Sequence, residues 1–162
     1  MAYINPAPGT ANQVTLSLEV ASNESDITQA SGLSIPALQD MTINAANDVF
    51  TWSQLDSTAK KQVATTSTNS ISMNVVVDQA TFFGTVLAAA VTGTMAEQGL
   101  FGCSRNKTLI NFIIRVENST VDTFIKGTGY ITGLAPTVTA DAPVWVSPVT
   151  ITVTGEYTVA AT

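Results

Sequence analysis

Apolar and polar residues alternate most cleanly near the end of the chain. Ile151, Val153, Tyr157 and Val159 share one register with Gly155, and Thr150, Thr152, Thr154, Glu156 and Thr158 share the other. Side chains leave opposite faces of a strand with a period of two, so this pattern predicts a half-buried antiparallel strand with one wet face. Phe124–Leu134 predicts its partner, with Gly127, Gly129 and Gly133 admitting bulges or a closely approaching backbone. Ala140-Asp141-Ala142-Pro143 supplies the turn between them. Together they predict a β-hairpin that closes a sheet.

The same alternation predicts strands over Val14–Val20, Ile71–Val77 and Leu109–Val116. Their inward sets are Val14, Leu16, Leu18 and Val20; Ile71, Met73, Val75 and Val77; and Ile110, Phe112, Ile114 and Val116. Ile35–Ile43 reads as a short strand interrupted at Pro36. Val49–Leu55 alternates again and places Phe50 and Trp52 on the core side. From Ser53 to Asn69 no period survives, and the segment reads as a long polar loop or as two ribbon ends joined by one. Unstructured connections of that length are uncommon in a compact domain and point to function or partner contact. One helix is predicted, over about residues 79–92, capped by Asp78, with Phe82, Phe83, Val86, Leu87, Ala90 and Val91 as its apolar stripe and Gly93 at its end. Residues 1–13 read as an extended N-terminal arm, 14–159 as a single domain and 160–162 as a C-terminal end. Strands, one helix, then more strands predict a mainly β sandwich or barrel with a helix on its flank.

Composition sharpens this picture. Only 11% of the 162 residues are charged, against about 25% in ordinary soluble domains. Mean hydropathy is +0.28, yet no apolar run reaches the ~20 residues of a membrane helix. A surface of Thr, Ser, Asn and Ala with so few charges suits burial against copies of the same chain. The net charge of −6 argues against tight nucleic-acid binding, which rests on Lys and Arg neutralising phosphates. The N-terminus lacks the basic start and apolar core of a signal peptide. Cys103 stands alone, which offers no disulfide framework and suits assembly in a reducing cytoplasm.

Candidate chemistry is sparse. The sequence has no histidine, which removes imidazole acid–base pairs and the commonest metal ligand. Cys103 has no imidazole to activate it and reads as structural. Ser57-Thr58-Ala59-Lys60 matches S-x-x-K without the companion elements of penicillin-binding enzymes. Gly127-Thr128-Gly129 lies in a strand and lacks a third glycine, and Asp40, Asp48 and Asp56 are too dispersed for a metal loop. No catalytic residue, cofactor or metal is expected. Arg105, Lys107 and Arg115 flank one strand and are candidates for pairing with acidic groups of a neighbouring subunit. Glu19, Thr152, Thr154 and Glu156 lie on hydrophilic strand faces.

Three stretches, in their order and spacing, resemble the tail tube (major tail) proteins of long, non-contractile-tailed bacteriophages (siphophages). They are Trp52–Lys61, reading WSQLDSTAKK; Ser70–Asp78 with the Phe82–Ala90 stripe after it; and Gly127-Thr128-Gly129-Tyr130-Ile131-Thr132 with the closing strand Val149–Thr158. The likeness covers roughly residues 45–158, and the hydrophobic turn Ala142-Pro143-Val144-Trp145 departs from it. The resemblance implies a tail-tube fold related to the type VI secretion tube protein. It further implies hexameric rings stacked into a conduit for DNA ejection, in a virion tail assembled in the host cytoplasm. Implied partners are the chain itself, the tape measure protein, the tail terminator and tail-tip proteins, and passing viral DNA held without tight binding; no membrane is involved. The family's long loop reaches the neighbouring ring, a role that falls here on Ser53, Gln54, Leu55, Asp56, Ser57, Thr58, Lys60 and Lys61 within Ser53–Asn69. Glu19, Thr152, Thr154 and Glu156 become candidates for the lumen wall. The competing expectation is a capsid decoration domain or a receptor- or carbohydrate-binding domain, with Trp52, Trp145 and Tyr130 stacking on sugar rings.

Overall fold

Where apolar residues alternate over a full strand, the chain pairs them into one antiparallel sheet. The computed structural model describes residues 14–35, 38–118 and 120–161. The arm read over residues 1–13, the interruption read at Pro36 and the last residue, Thr162, lie outside them. The strands are β1 (Val14–Val20), β2 (Leu33–Ser34), β3 (Leu38–Ser53), β4 (Lys60–Val76), β5 (Ile110–Val116), β6 (Thr123–Leu134), β7 (Thr137–Thr139) and β8 (Ala142–Ala160). Their spatial order is β2-β1-β5-β6-β8-β4-β3, with β7 paired to β8 off this path. Leu16 and Leu18 of β1 share one buried cluster with Ile71, Met73 and Val75 of β4 and with Ile110, Phe112, Ile114, Ile151 and Val153. Strands four places apart in the sheet share a core because the sheet curls around one face, the barrel-like β fold that the strand pattern predicts.

The closing hairpin lies where the alternation puts it, with Ile131 opposite Ile151 and Gly129 opposite Val153. The register shifts between Lys126 and Thr128, where Gly155 adopts φ +82° on β8. This left-handed conformation suits glycine, and it lets Tyr157 return to the core side against the Phe112 ring, 6.1 Å between centroids.

The helix is present on the flank, but not at residues 79–92. That segment makes a single π-helical turn, Gln79–Phe83, with the Asp78 carboxylate accepting from Thr81 N–H; Gly84 at φ +82° then ends it. The α-helix α1 follows at Met95–Asn106. Thr94 caps it by accepting from Glu97 N–H, while Glu97 Oε2 accepts from Thr94 N–H at 2.7 Å, a complete capping box. Gly93 thus precedes the helix instead of ending the one expected before it. Inside α1, Gly99 leaves helical geometry at φ 66°, ψ −179°. The break frees the Ala96 and Glu97 carbonyls, which accept from Thr85 and Val86 N–H and so hold the 84–86 segment alongside the helix. Buried Gln98 ties down the stretch before the helix, donating to the Val91 and Gly93 carbonyls and accepting from Asn106 and Thr108. Phe82, Met95, Leu100 and Cys103 bring this flank into the core cluster.

Stability should be flat in pH across the neutral range. The carboxyls of Asp26, Asp78 and Asp122 titrate below their ordinary value, held there first by hydrogen bonds from Ser22 N–H, Thr81 N–H and the Arg115 side chain respectively. Their stabilisation is present above the usual carboxylate range and is lost as pH falls through the lowered values. Burial pushes the Cys103 thiol up to about 12 and raises the Tyr157 phenol. Those contributions are complete below the ordinary thiol and phenol values and are lost as pH rises through the raised ones. With no histidine, the midpoint of thermal unfolding should hold within a few degrees between about pH 5 and pH 8 and fall on both sides. A titration step inside that window would contradict this assignment.

Candidate assembly surfaces

The segment read as a loop is mostly hairpin. β3 and β4 pair from Leu38↔Val75 to Ser53↔Lys60, whereas β4 pairs with β8 only from Ser70↔Thr152 to Val76↔Val146. Beyond that point, residues 45–53 and 60–69 form a two-stranded arm joined by the turn at 54–59. Nine residues of strand carry its tip ~30 Å from the body. Ser53 ends β3, Lys60 and Lys61 begin β4, and Gln54, Leu55, Asp56, Ser57 and Thr58 form the tip. Ser57 N–H donates to the Gln54 carbonyl and Ala59 N–H donates to Ser57 Oγ. Ser57 and Lys60 therefore stand on an open turn and share no cleft.

Phe50 and Trp52 are not core residues. They are 58% and 37% exposed and stack on each other at 5.9 Å along the arm, with Val63 directly opposite Phe50 and Lys61 opposite Trp52. Counted along β3 from Met41 and Ile43, which pair with core residues of β4, Phe50 and Trp52 fall on the opposite face, and β8 no longer covers the β3–β4 pair at this point. The arm's root is clamped. Tyr157 Oη lies 2.9 Å from both the Asn44 and Ser70 carbonyls and can donate to either, and Asn69 Nδ2 donates to the Gly155 carbonyl at 2.8 Å.

A second apolar surface lies at the other end of β4. Val77, Phe83, Leu87, Val144 and Trp145, with Gln79, line an open groove of about 480 Å³. Leu87 is 77% and Trp145 44% exposed. Val77 N–H donates to the Trp145 carbonyl at 2.8 Å, which joins the two walls. The stripe Val86, Leu87 and Val91, read as the core face of a helix, is on the surface here.

The sheet face opposite the core is polar. The 21–32 connection covers its β1–β5–β6 part: Gln29 donates to the Ser17 carbonyl and to Asn111 Oδ1, and Thr128 Oγ1 donates to the Glu24 carbonyl. Glu19 accepts from Ala30 N–H at 2.9 Å, so this lumen candidate is engaged in holding that connection. The remainder stays open, with Thr42 opposite Ser72, Ser72 opposite Thr150, and Thr152 opposite both Ser70 and Tyr130. Thr132 and Thr152 share a hydroxyl–hydroxyl bond of 2.8 Å. Thr154 and Glu156 line a shallow depression at its margin with Glu24 and Thr128.

The cationic candidates separate. Arg115 pairs with carboxylates of its own chain, Asp122 at 2.7 Å and Glu117 at 3.1 Å. Arg105 donates to the Ala89 carbonyl at 3.2 Å. Lys107 is exposed and closes α1 in left-handed geometry, φ 54°. The three aromatics of the sugar-binding expectation are not gathered either. Trp52 is on the arm, Trp145 is at the groove, and Tyr130 is on the polar face opposite Thr152, seven positions along β8 from Trp145.

No family model matches the sequence, and no curated protein matches it. The described residues form an antiparallel β domain with a flanking helix, a fold shared with solved tail and tail tube chains. In particular, the chain is similar to the solved structure of the SPP1 tail tube, with TM-score 0.61 and 11% identity over 91% of this chain and 77% of that one. It is similar to the tail of an empty gene transfer agent particle refined with C6 symmetry, with TM-score 0.61 and 13% identity over 90% of this chain and 96% of that one. A chain of the 6-fold symmetrised anti-feeding prophage baseplate matches with TM-score 0.55 and 9% identity over 96% and 97%. At such identities the likeness is one of fold.

Proposed function

We propose that this chain is a non-enzymatic structural subunit that polymerises with copies of itself into a virion tail tube. The observation that carries the reading is the arm. A two-stranded ribbon alone in water is at best marginally stable, and this one exposes a stacked Phe50–Trp52 pair. Such a feature is stabilised when another surface covers it. The shared fold with tail tube chains and the low charge of the surface support the same conclusion.

In this reading, six copies form a ring and rings stack into a conduit for DNA. The open Thr/Ser face with Thr152, Thr154 and Glu156 lines the lumen, and the tip residues Ser53–Lys61 reach the next ring. A wall of hydroxyls on a chain of net charge −6 offers phosphates few cations to grip, so a duplex slides past without sticking. The tape measure, terminator and tip proteins would meet the tube at its interior and its two ends, in a virion assembled in the host cytoplasm. Negative-stain microscopy of the purified protein should show rings or tubes with an open centre. A monodisperse monomer at high concentration would overturn the reading.

A further inference from the structure

The apolar arm and the apolar groove occupy opposite ends of one strand. β4 begins at Lys60, beside the arm's tip, and ends at Val76, next to the groove residue Val77. Its 17 residues separate the two features by ~55 Å along the strand. A straight ribbon clamped at its root by Tyr157 and Asn69 cannot fold back over that distance into its own groove.

We propose that the groove lined by Val77, Phe83, Leu87, Val144 and Trp145 is the socket for the Phe50–Trp52 face of the arm of a second copy. This deepens the tube reading and rests on it, by naming the surface that receives the arm. The chemistry of the two surfaces is complementary. The arm presents a stacked aromatic pair with Val63 beside it, and the groove is an open apolar trough of about 480 Å³, in the size range of clefts that hold a small apolar ligand. Charge points the same way: Lys61 pairs opposite Trp52 on the arm, and the exposed acidic residue Asp78, whose carboxylate accepts from Thr81, lies in the chain between the groove residues Val77 and Gln79. A contact between different patches of identical chains is heterologous, so it repeats from copy to copy without self-closure and extends a filament along the strand direction. Val144 and Trp145, near the start of β8, belong to the stretch where the sequence departs from the tail tube pattern; on this proposal the departure is the socket's wall.

Disulfide trapping tests the pairing. Two proteins, Trp52→Cys and Leu87→Cys, are mixed, allowed to assemble and oxidised; Cys103 is buried and does not compete. A Trp52→Cys–Leu87→Cys cross-linked dimer should form in the mixture and in neither protein alone. Trp145→Ala, at an exposed position, should raise the concentration needed for assembly at least about tenfold. Tubes that form without the cross-link overturn the socket and leave the tube reading standing. Cross-linked dimers without tubes support the socket and overturn the tube. Monomers without cross-links overturn both.

Discussion

Replacing Asp48–Thr66 with a two-residue Asn-Gly turn should give a subunit that folds normally and no longer polymerises. The replaced residues are exposed or, at Ser57, half-exposed, and none belongs to the core cluster. The remaining strands stay paired through Asn47↔Ser67, and Asn-Gly suits a tight hairpin. The midpoint of thermal unfolding should therefore shift by no more than a few degrees. Assembly should respond very differently, because Phe50, Trp52, Leu55 and Val63 leave together. The concentration at which tubes appear by light scattering and microscopy should rise at least about a hundredfold. Tubes of normal length at the usual concentration would show that the arm is dispensable for assembly.

The second large effect concerns the flank. Gly99→Ala should destabilise the subunit by at least about 3 kcal/mol, since the φ 66°, ψ −179° conformation is essentially restricted to glycine. An added Cβ would also run into backbone, meeting Phe82 O at 2.7 Å and the Phe83 carbonyl carbon at 2.8 Å. Backbone on both sides cannot step aside as a side-chain tip can, so overpacking adds to the strain. Gly102→Ala is the control, because its Cβ would meet only the Gln98 side chain, at 3.1 Å and beyond. It should stay within about 1 kcal/mol of the parent in urea unfolding. Equal stabilities for the two variants would show that the Gly99 break is not a requirement of the fold.

The strands of the body were legible because burial and alternation coincide there. Leu16 and Leu18, Ile71, Met73 and Val75, and Ile110, Phe112 and Ile114 lie inside as their registers predict. Elsewhere the pattern of apolar residues was right about hydrophobicity and wrong about what covers it. Phe50 and Trp52 read as core, and so did Val86, Leu87 and Val91, yet all five are on the surface. A period in the sequence records that a side chain avoids water, not whether its own chain or another supplies the cover. The true helix escaped because Gly99, Gly102 and buried Gln98 blunt its apolar stripe. The Thr94-x-x-Glu97 capping box was the signal that would have found it. The arm's tip could be located in the sequence, while the groove depends on residues 77–87 meeting 144–145, a pairing that only the folded sheet brings about.

The clamp at Tyr157 makes the hairpin a lever. With a fulcrum at the Asn44 and Ser70 carbonyls and a reach of ~30 Å, a tilt of about ten degrees moves the far end about 5 Å. In the proposed tube, imposed curvature is then shared among many small pivots while each joint stays seated. Such a polymer would flex like a hose and keep its bore.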